Sequence, residues 1–180
     1  MDVLKSSGAV VADCDAIYHT LLETSVDMRE ELVSAFPQAA AGGGIDRRKL
    51  GEIVFSSLSA LKKLEAITHK YVCLEIEQMI GQAAQEGKQL FGIDAIALIE
   101  SGLAARCDVC VAITAPQEIR IQRIMARDSI SREAAMRRVL AQKEDDYFSA
   151  HCDHVLVNSG DKDAFESACK ALVHMILKGE

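Results

Sequence analysis

Ala9-Val10-Val11-Ala12-Asp13-Cys14-Asp15 is the stretch on which the reading of this chain turns. Four consecutive apolar residues without polar alternation read as a strand buried on both faces. Two carboxylates follow at once, so the strand ends in polar groups. Upstream, residues 1–7 look like the last turns of a helix, and Gly8 looks like its stop. Downstream, helical sequence runs from Ala16 to Phe36, and Pro37 with Gly42-Gly43-Gly44 makes a loop. Asp46 is an N-cap ahead of helical residues 47–56. A long helix is expected from Ser59 to Glu86, bent near His69 and stopped by Gly87. Gln89 to Leu98 is the next apolar strand, ending at Glu100-Ser101-Gly102, and Val109 to Thr114 is another. Pro116 opens a helix through Arg127, and Ser131 caps one from Arg132 to Phe148. His154 to Val157 is a last short strand, Asn158-Ser159-Gly160 a turn, and Asp161 opens a final amphipathic helix.

Strands alternating with helices, several of them apolar throughout, imply an α/β fold with a parallel sheet and helices on both faces. Ligands of such sheets bind beyond the carboxyl ends of the strands. Asp13, Asp15 and Glu100 are expected there. The 180 residues suit one domain carrying a small helical insertion. Apolar residues make up 49% of the chain while aromatic residues make up 4%, so the core must be built mostly of Ala, Val, Ile and Leu. A net charge of −7 argues against a nucleic-acid or anionic-membrane surface. No apolar run reaches the length of a membrane span, and Met1-Asp2-Val3-Leu4-Lys5 lacks a signal-peptide layout. A cytoplasmic protein is expected.

The six cysteines (14, 73, 107, 110, 152 and 169) are scattered through periodic segments and read as reduced thiols. Cys107-Asp108-Val109-Cys110 with His151-Cys152-Asp153-His154 offers zinc-type ligands. Residues 107–113 read as a strand, however, and residues three apart on a strand face opposite ways, so no metal site is expected.

Several stretches together resemble the dephospho-coenzyme A kinase family. Val10-Val11-Ala12-Asp13-Cys14-Asp15 resembles its strand ending in Asp-x-Asp, and Asp46-Arg47-Arg48-Lys49-Leu50 its Asp-Arg-x-x-Leu. Leu64-Glu65-Ala66-Ile67-Thr68-His69 resembles its Leu-Glu-x-x-x-His. Asp94-Ala95-Ile96-Ala97-Leu98-Ile99-Glu100-Ser101-Gly102-Leu103 resembles its Asp-x-Pro-Leu-Leu-Phe-Glu-Ser-Gly-Leu. Arg123 to Asp128 with Ala135, Arg138 and Gln142 resembles its lid, and Asp153 to Gly160 its last strand. The likeness spans the whole chain in order. Lys70 and Ile96 stand where the family pattern has Pro.

The family also begins with a strand and a Gly-rich Walker loop, G-x-x-x-x-G-K-[ST], whose amides cradle phosphates. No such motif occurs in the 180 residues: Gly42-Gly43-Gly44 lacks a following Gly-Lys, and Gly81 with Gly87-Lys88-Gln89 is one residue too long and lacks the hydroxyl. The expectation is therefore of an N-terminally truncated kinase, P-loop kinase-like but without its first strand and P-loop, with impaired catalysis. Exposed sheet edges would then promote self-association.

The resemblance implies ATP-dependent phosphorylation of the ribose 3′-hydroxyl of dephospho-CoA, the last step of coenzyme A biosynthesis, with ATP and Mg²⁺. It implies a CoA-binding helical insertion at about residues 37–86 and a lid at about 123–148. Asp15 matches the catalytic base and Arg127 a catalytic guanidinium that closes over phosphates. Asp13, Arg47, His69 and Glu100 fall to substrate binding, and Arg123, Arg138, Asn158 and Gly160 to ATP binding. Plainer readings stand beside these. Asp13 and Asp15 also suit a solvated strand end, His69 a structural histidine, and Glu100 a turn cap. Arg123 and Arg138 also suit an exposed helix, and Asn158 and Gly160 a turn. Other readings of the whole chain are a different P-loop nucleoside or nucleotide kinase, or a non-catalytic binder of CoA-like ligands.

Overall fold

The computed structural model describes residues 1–42 and 44–179. It divides into two compact units, one of Met1 with Val3–Ser101 and one of Asp2 with Gly102 onward. The first unit holds α1 (Asp2–Ser6, but for Asp2), β1 (Val10–Asp13), α2 (Cys14–Thr24), α3 (Val26–Ala35), β2 (Ala40–Ala41), β3 (Gly44–Ile45), α4 (Arg47–Ser56), α5 (Leu58–Gln85) and β4 (Phe91–Asp94). The second holds β5 (Val111–Thr114), α6 (Gln117–Asp128), α7 (Arg132–Leu140), α8 (Asp145–His151), β6 (His154–Val157) and α9 (Lys162–Lys178).

The α/β class and parallel pairing match the expectation. β1 pairs with β4 in parallel, Val10 opposite Phe91 and Asp13 opposite Asp94. β5 pairs with β6 in parallel, Val111 opposite His154 and Thr114 opposite Val157. Each pair is a two-stranded sheet, so every one of these strands keeps one edge without a strand partner among the described residues. Gly92 lets α1 lie close against β4: a Cβ there would sit 2.8 Å from Leu4 Cδ1.

In the first unit, Met28, Leu32, Phe36, Ala39, Leu50, Val54 and Ile67 form the buried cluster, joining α3, α4 and α5. On α5, Thr68, Val72, Ile76 and Ala83 are buried at spacings of four and seven, the period of one helix face. In the second unit, Ile121 packs with Ala135 and Val139 between α6 and α7.

Local chemistry explains where the boundaries differ from expectation. The helix read across 16–36 is two helices. Ser25 takes an extended conformation and accepts a hydrogen bond from the Met28 amide at 3.2 Å, so it caps a new helix instead of continuing the old one. Ser57 acts likewise between α4 and α5. The helix read over 132–148 is also two, parted after Ala141. The strand read over 89–98 is only β4, because the apolar residues after Asp94 turn out of the sheet. Glu100 therefore lies in that turn, six residues past the strand end where it was expected. Ile96 is 88% exposed in the same turn, a position that the Pro of the family pattern also suits.

Candidate functional site

The carboxyl ends of β1 and β4 bring Asp13 and Asp94 opposite one another. Asp13 is also the N-cap of α2, accepting from the Ala16 amide at 3.0 Å. Its carboxylate is thus engaged in starting the helix. Asp15 is exposed in the first turn of that helix, where a negative charge meets the positive end of the helix dipole. Between them the Cys14 thiol is pushed up to about 11, first by burial, then by Asp15, Asp94 and Asp13. The negative charges of Asp15, Asp94 and Asp13 therefore all act on one thiol. Asp94, quoted in the sequence as part of a motif but given no role, is one of them.

One turn beyond Asp15 on α2 is His19, which sequence reasoning passed over. Residues four apart on a helix share a face. Arg47, the first residue of α4, reaches back so that its Nη2 donates to His19 Nδ1 at 3.0 Å. Asp46 makes this start of α4 definite by accepting from the amides of Arg48 and Lys49. The guanidinium lies near Tyr18 as well: burial raises that phenol and Arg47 opposes the shift.

On α5, His69 is half-buried beside Thr68. Lys70 is tied to Glu31 of α3, and Tyr71 donates to the same carboxylate at 2.8 Å. Lys70 and then Tyr71 hold the Glu31 carboxyl below its usual range. α5 runs unbroken over Leu58–Gln85, and Lys70 ties it to α3 at the position where the family pattern has proline.

In the second unit, Arg123 Nη2 donates to Asn158 Oδ1 at 2.8 Å, and the Asn158 amide donates to the Thr114 carbonyl at the end of β5 at 2.8 Å. Two of the residues assigned to ATP binding are thereby brought together at a strand end. Gly160 has φ +113, in the region that favours glycine. Arg127 forks onto Asp128, with Nε at 2.7 Å and Nη2 at 3.1 Å, and Arg138 pairs with the same carboxylate. Arg127 and then Arg138 hold Asp128 below the usual carboxylate range. Asp128 is a further residue to which the sequence reading gave no role. The Arg127 side chain is 74% exposed.

The cysteine region departs from expectation. Cys107 follows a single 3-10 turn, Leu103–Arg106, and is not on a strand, because β5 begins only at Val111. The Cys110 thiol donates to Cys152 Sγ at 3.2 Å, and its amide donates to Asp153 Oδ2 at 2.7 Å. Among the described residues no three His, Cys, Asp or Glu side chains converge to hold a metal ion. Burial, and then Cys152, push the Cys110 thiol up to about 12. Because Cys110 is buried and Cys152 only half-buried, Cys110 is expected to be alkylated more slowly than Cys152 by iodoacetamide at pH 8. Mass spectrometry of quenched samples reads this directly, and equal rates at the two thiols would contradict the buried geometry.

The family model for dephospho-CoA kinase matches residues 1–163. The chain belongs to the dephospho-CoA kinase family. The dephospho-CoA kinase of Anaeromyxobacter dehalogenans is 32% identical over 173 residues, 95% of this chain and 82% of that protein. That of Thermus thermophilus is 33% identical over 177 residues, 98% of this chain and 84% of that protein. Among solved structures, a Thermus thermophilus protein superposes with a TM-score of 0.78 at 34% identity, covering 96% of this chain and 87% of that one. The dephospho-CoA kinase of Campylobacter jejuni superposes with a TM-score of 0.69 at 28% identity, covering 99% and 90%. The chain is a kinase that phosphorylates dephospho-CoA from ATP in coenzyme A biosynthesis. Among the described residues no helix is long and apolar enough to cross a membrane.

Proposed function

We propose that Asp15 is the general base of this dephospho-CoA kinase. Its carboxylate takes the proton of the ribose 3′-hydroxyl as that oxygen bonds to the γ-phosphorus of ATP, and the bond to the β-phosphate oxygen breaks to release ADP. The observation carrying this assignment is the division of labour at the end of β1: both carboxylates are exposed, but Asp13 has one oxygen engaged as a helix cap, and Asp15 lies two residues beyond it in the first turn of α2.

Arg127 neutralises charge on the transferring phosphoryl group. Asp128 keeps its guanidinium extended in a fork until phosphate oxygens replace the carboxylate. Arg123, Arg138, Asn158 and Gly160 serve ATP. Asp13, Arg47, His69 and Glu100 serve dephospho-CoA, Arg47 and His69 from a helical insertion at about residues 37–86, and residues of about 123–148 form the lid. Mg²⁺ would come with ATP, since among the described residues no three His, Cys, Asp or Glu side chains form a group that could hold it. Bound with ATP, it supplies charge neutralisation for the phosphates. The reaction is assigned to the cytoplasm, where ATP is available and free thiols persist.

Calorimetry tests the substrate assignment. Dephospho-CoA is expected to give saturable heat with the 180-residue chain, while adenosine and nucleoside monophosphates give little. Equal affinity for a nucleoside monophosphate would move the chain to another substrate class.

A further inference from the structure

We propose that His19 is a positioning residue, which holds the Arg47 guanidinium ready for the diphosphate of dephospho-CoA. The proposal rests on the reading of Arg47 as a substrate-binding residue. Dephospho-CoA is neutral along its pantetheine arm and on its adenosine, so its diphosphate is the group that a guanidinium charge selects.

The kind of partner is what gives the contact its meaning. Arg127 and Arg138 are paired with Asp128, and Arg132 forks onto Glu118 with two contacts of 2.6 Å. Those carboxylates compensate the charge they hold. Arg47 instead donates to an imidazole nitrogen at 3.0 Å. To accept, His19 Nδ1 must carry a lone pair, which makes the ring neutral and puts its proton on Nε2. A neutral acceptor fixes the direction of the guanidinium and leaves its charge uncompensated. The bond uses one of five N–H donors, and a fork of two is what a pair of phosphate oxygens accepts. His19 and Arg47 are both exposed, as a ligand grip requires.

The place on α2 also fits. His19 lies four residues after Asp15, about one helical turn of 5.4 Å along the same face. The 3′-hydroxyl and the 5′-diphosphate of one ribose are separated by a reach of the same order. A base at Asp15 and an anion grip at His19–Arg47 therefore match two groups on a single sugar.

The test titrates dephospho-CoA into the 180-residue chain and into His19→Ala, His19→Asn, Arg47→Ala and the double alanine variant, with thermal melts alongside. Pantetheine, which lacks the diphosphate, is the second probe. His19→Ala is expected to weaken dephospho-CoA binding about tenfold, as for a lost hydrogen bond to a charged group, and to leave pantetheine unaffected. His19→Asn is expected to restore affinity to within about twofold, because Asn Oδ1 stands close to where His Nδ1 does. The double variant is expected to bind no more weakly than Arg47→Ala alone, the non-additivity of residues acting through one another. Loss in Arg47→Ala without loss in His19→Ala would overturn the role of His19. Additive losses, or an asparagine variant as weak as alanine, would do the same. Unchanged affinity in Arg47→Ala, or no binding by the unmodified chain, would instead bring down the substrate-binding reading underneath.

Discussion

Joined behind a β-strand and a G-x-x-x-x-G-K-[ST] loop, these 180 residues are expected to turn over ATP and dephospho-CoA at least about 10³-fold faster than the 180-residue polypeptide assayed alone. Loss of a single preorganised donor to a developing charge costs about 10²–10³ in rate, and such a loop supplies several together with a lysine. Among the described residues no G-x-x-x-x-G-K segment opens a helix. Gly87-Lys88 comes nearest, but Gly87 has φ +70 and ends α5, whereas a phosphate loop must open a helix. Parallel strands are ordinarily buried inside larger sheets, yet among the described residues β1–β4 and β5–β6 are pairs whose outer edges have no strand partner. The polypeptide alone is therefore expected to self-associate in light scattering, and the loop-bearing form to do so less. Full turnover by a monodisperse 180-residue polypeptide, free of host kinase, would refute both expectations.

In that loop-bearing polypeptide, Asp15→Asn is expected to lower kcat by about 10²–10⁴, the usual contribution of a general base, with a smaller change in KM. Asparagine keeps the shape of the side chain and removes its ability to take a proton. Asp13→Asn provides the contrast. Asparagine caps helices about as well as aspartate, so the start of α2 survives, and the loss is expected to fall on KM for dephospho-CoA, with a much smaller loss of kcat. Steady-state kinetics of the two variants decide the point. An Asp15→Asn enzyme within about fivefold of its parent would remove Asp15 from the chemistry.

The legible parts of this chain were those governed by nearest neighbours. An apolar run followed by Asp13 and Asp15 specified a buried strand feeding a capped helix. Asp46 and Asp161 started α4 and α9 where capping chemistry says they should. The errors arose where one pattern fits two structures. Ser25 inside a helical period can sit in the helix or cap a new one, and it caps. The apolar run 95–99 can extend a strand or turn away from it, and it turns.

By itself, the sequence determined the alternation of strands and helices, the parallel class of the sheets and the carboxylates at the end of β1, because caps, stops and apolar periodicity act within a few residues. Only the tertiary structure decided which charges meet. Arg47 finds His19 28 positions away, Arg123 finds Asn158 35 positions away, and Arg127 shares Asp128 with Arg138. Such partners depend on how helices pack around Met28, Leu32 and Ile121, and packing joins residues whose separation along the chain carries no local signal.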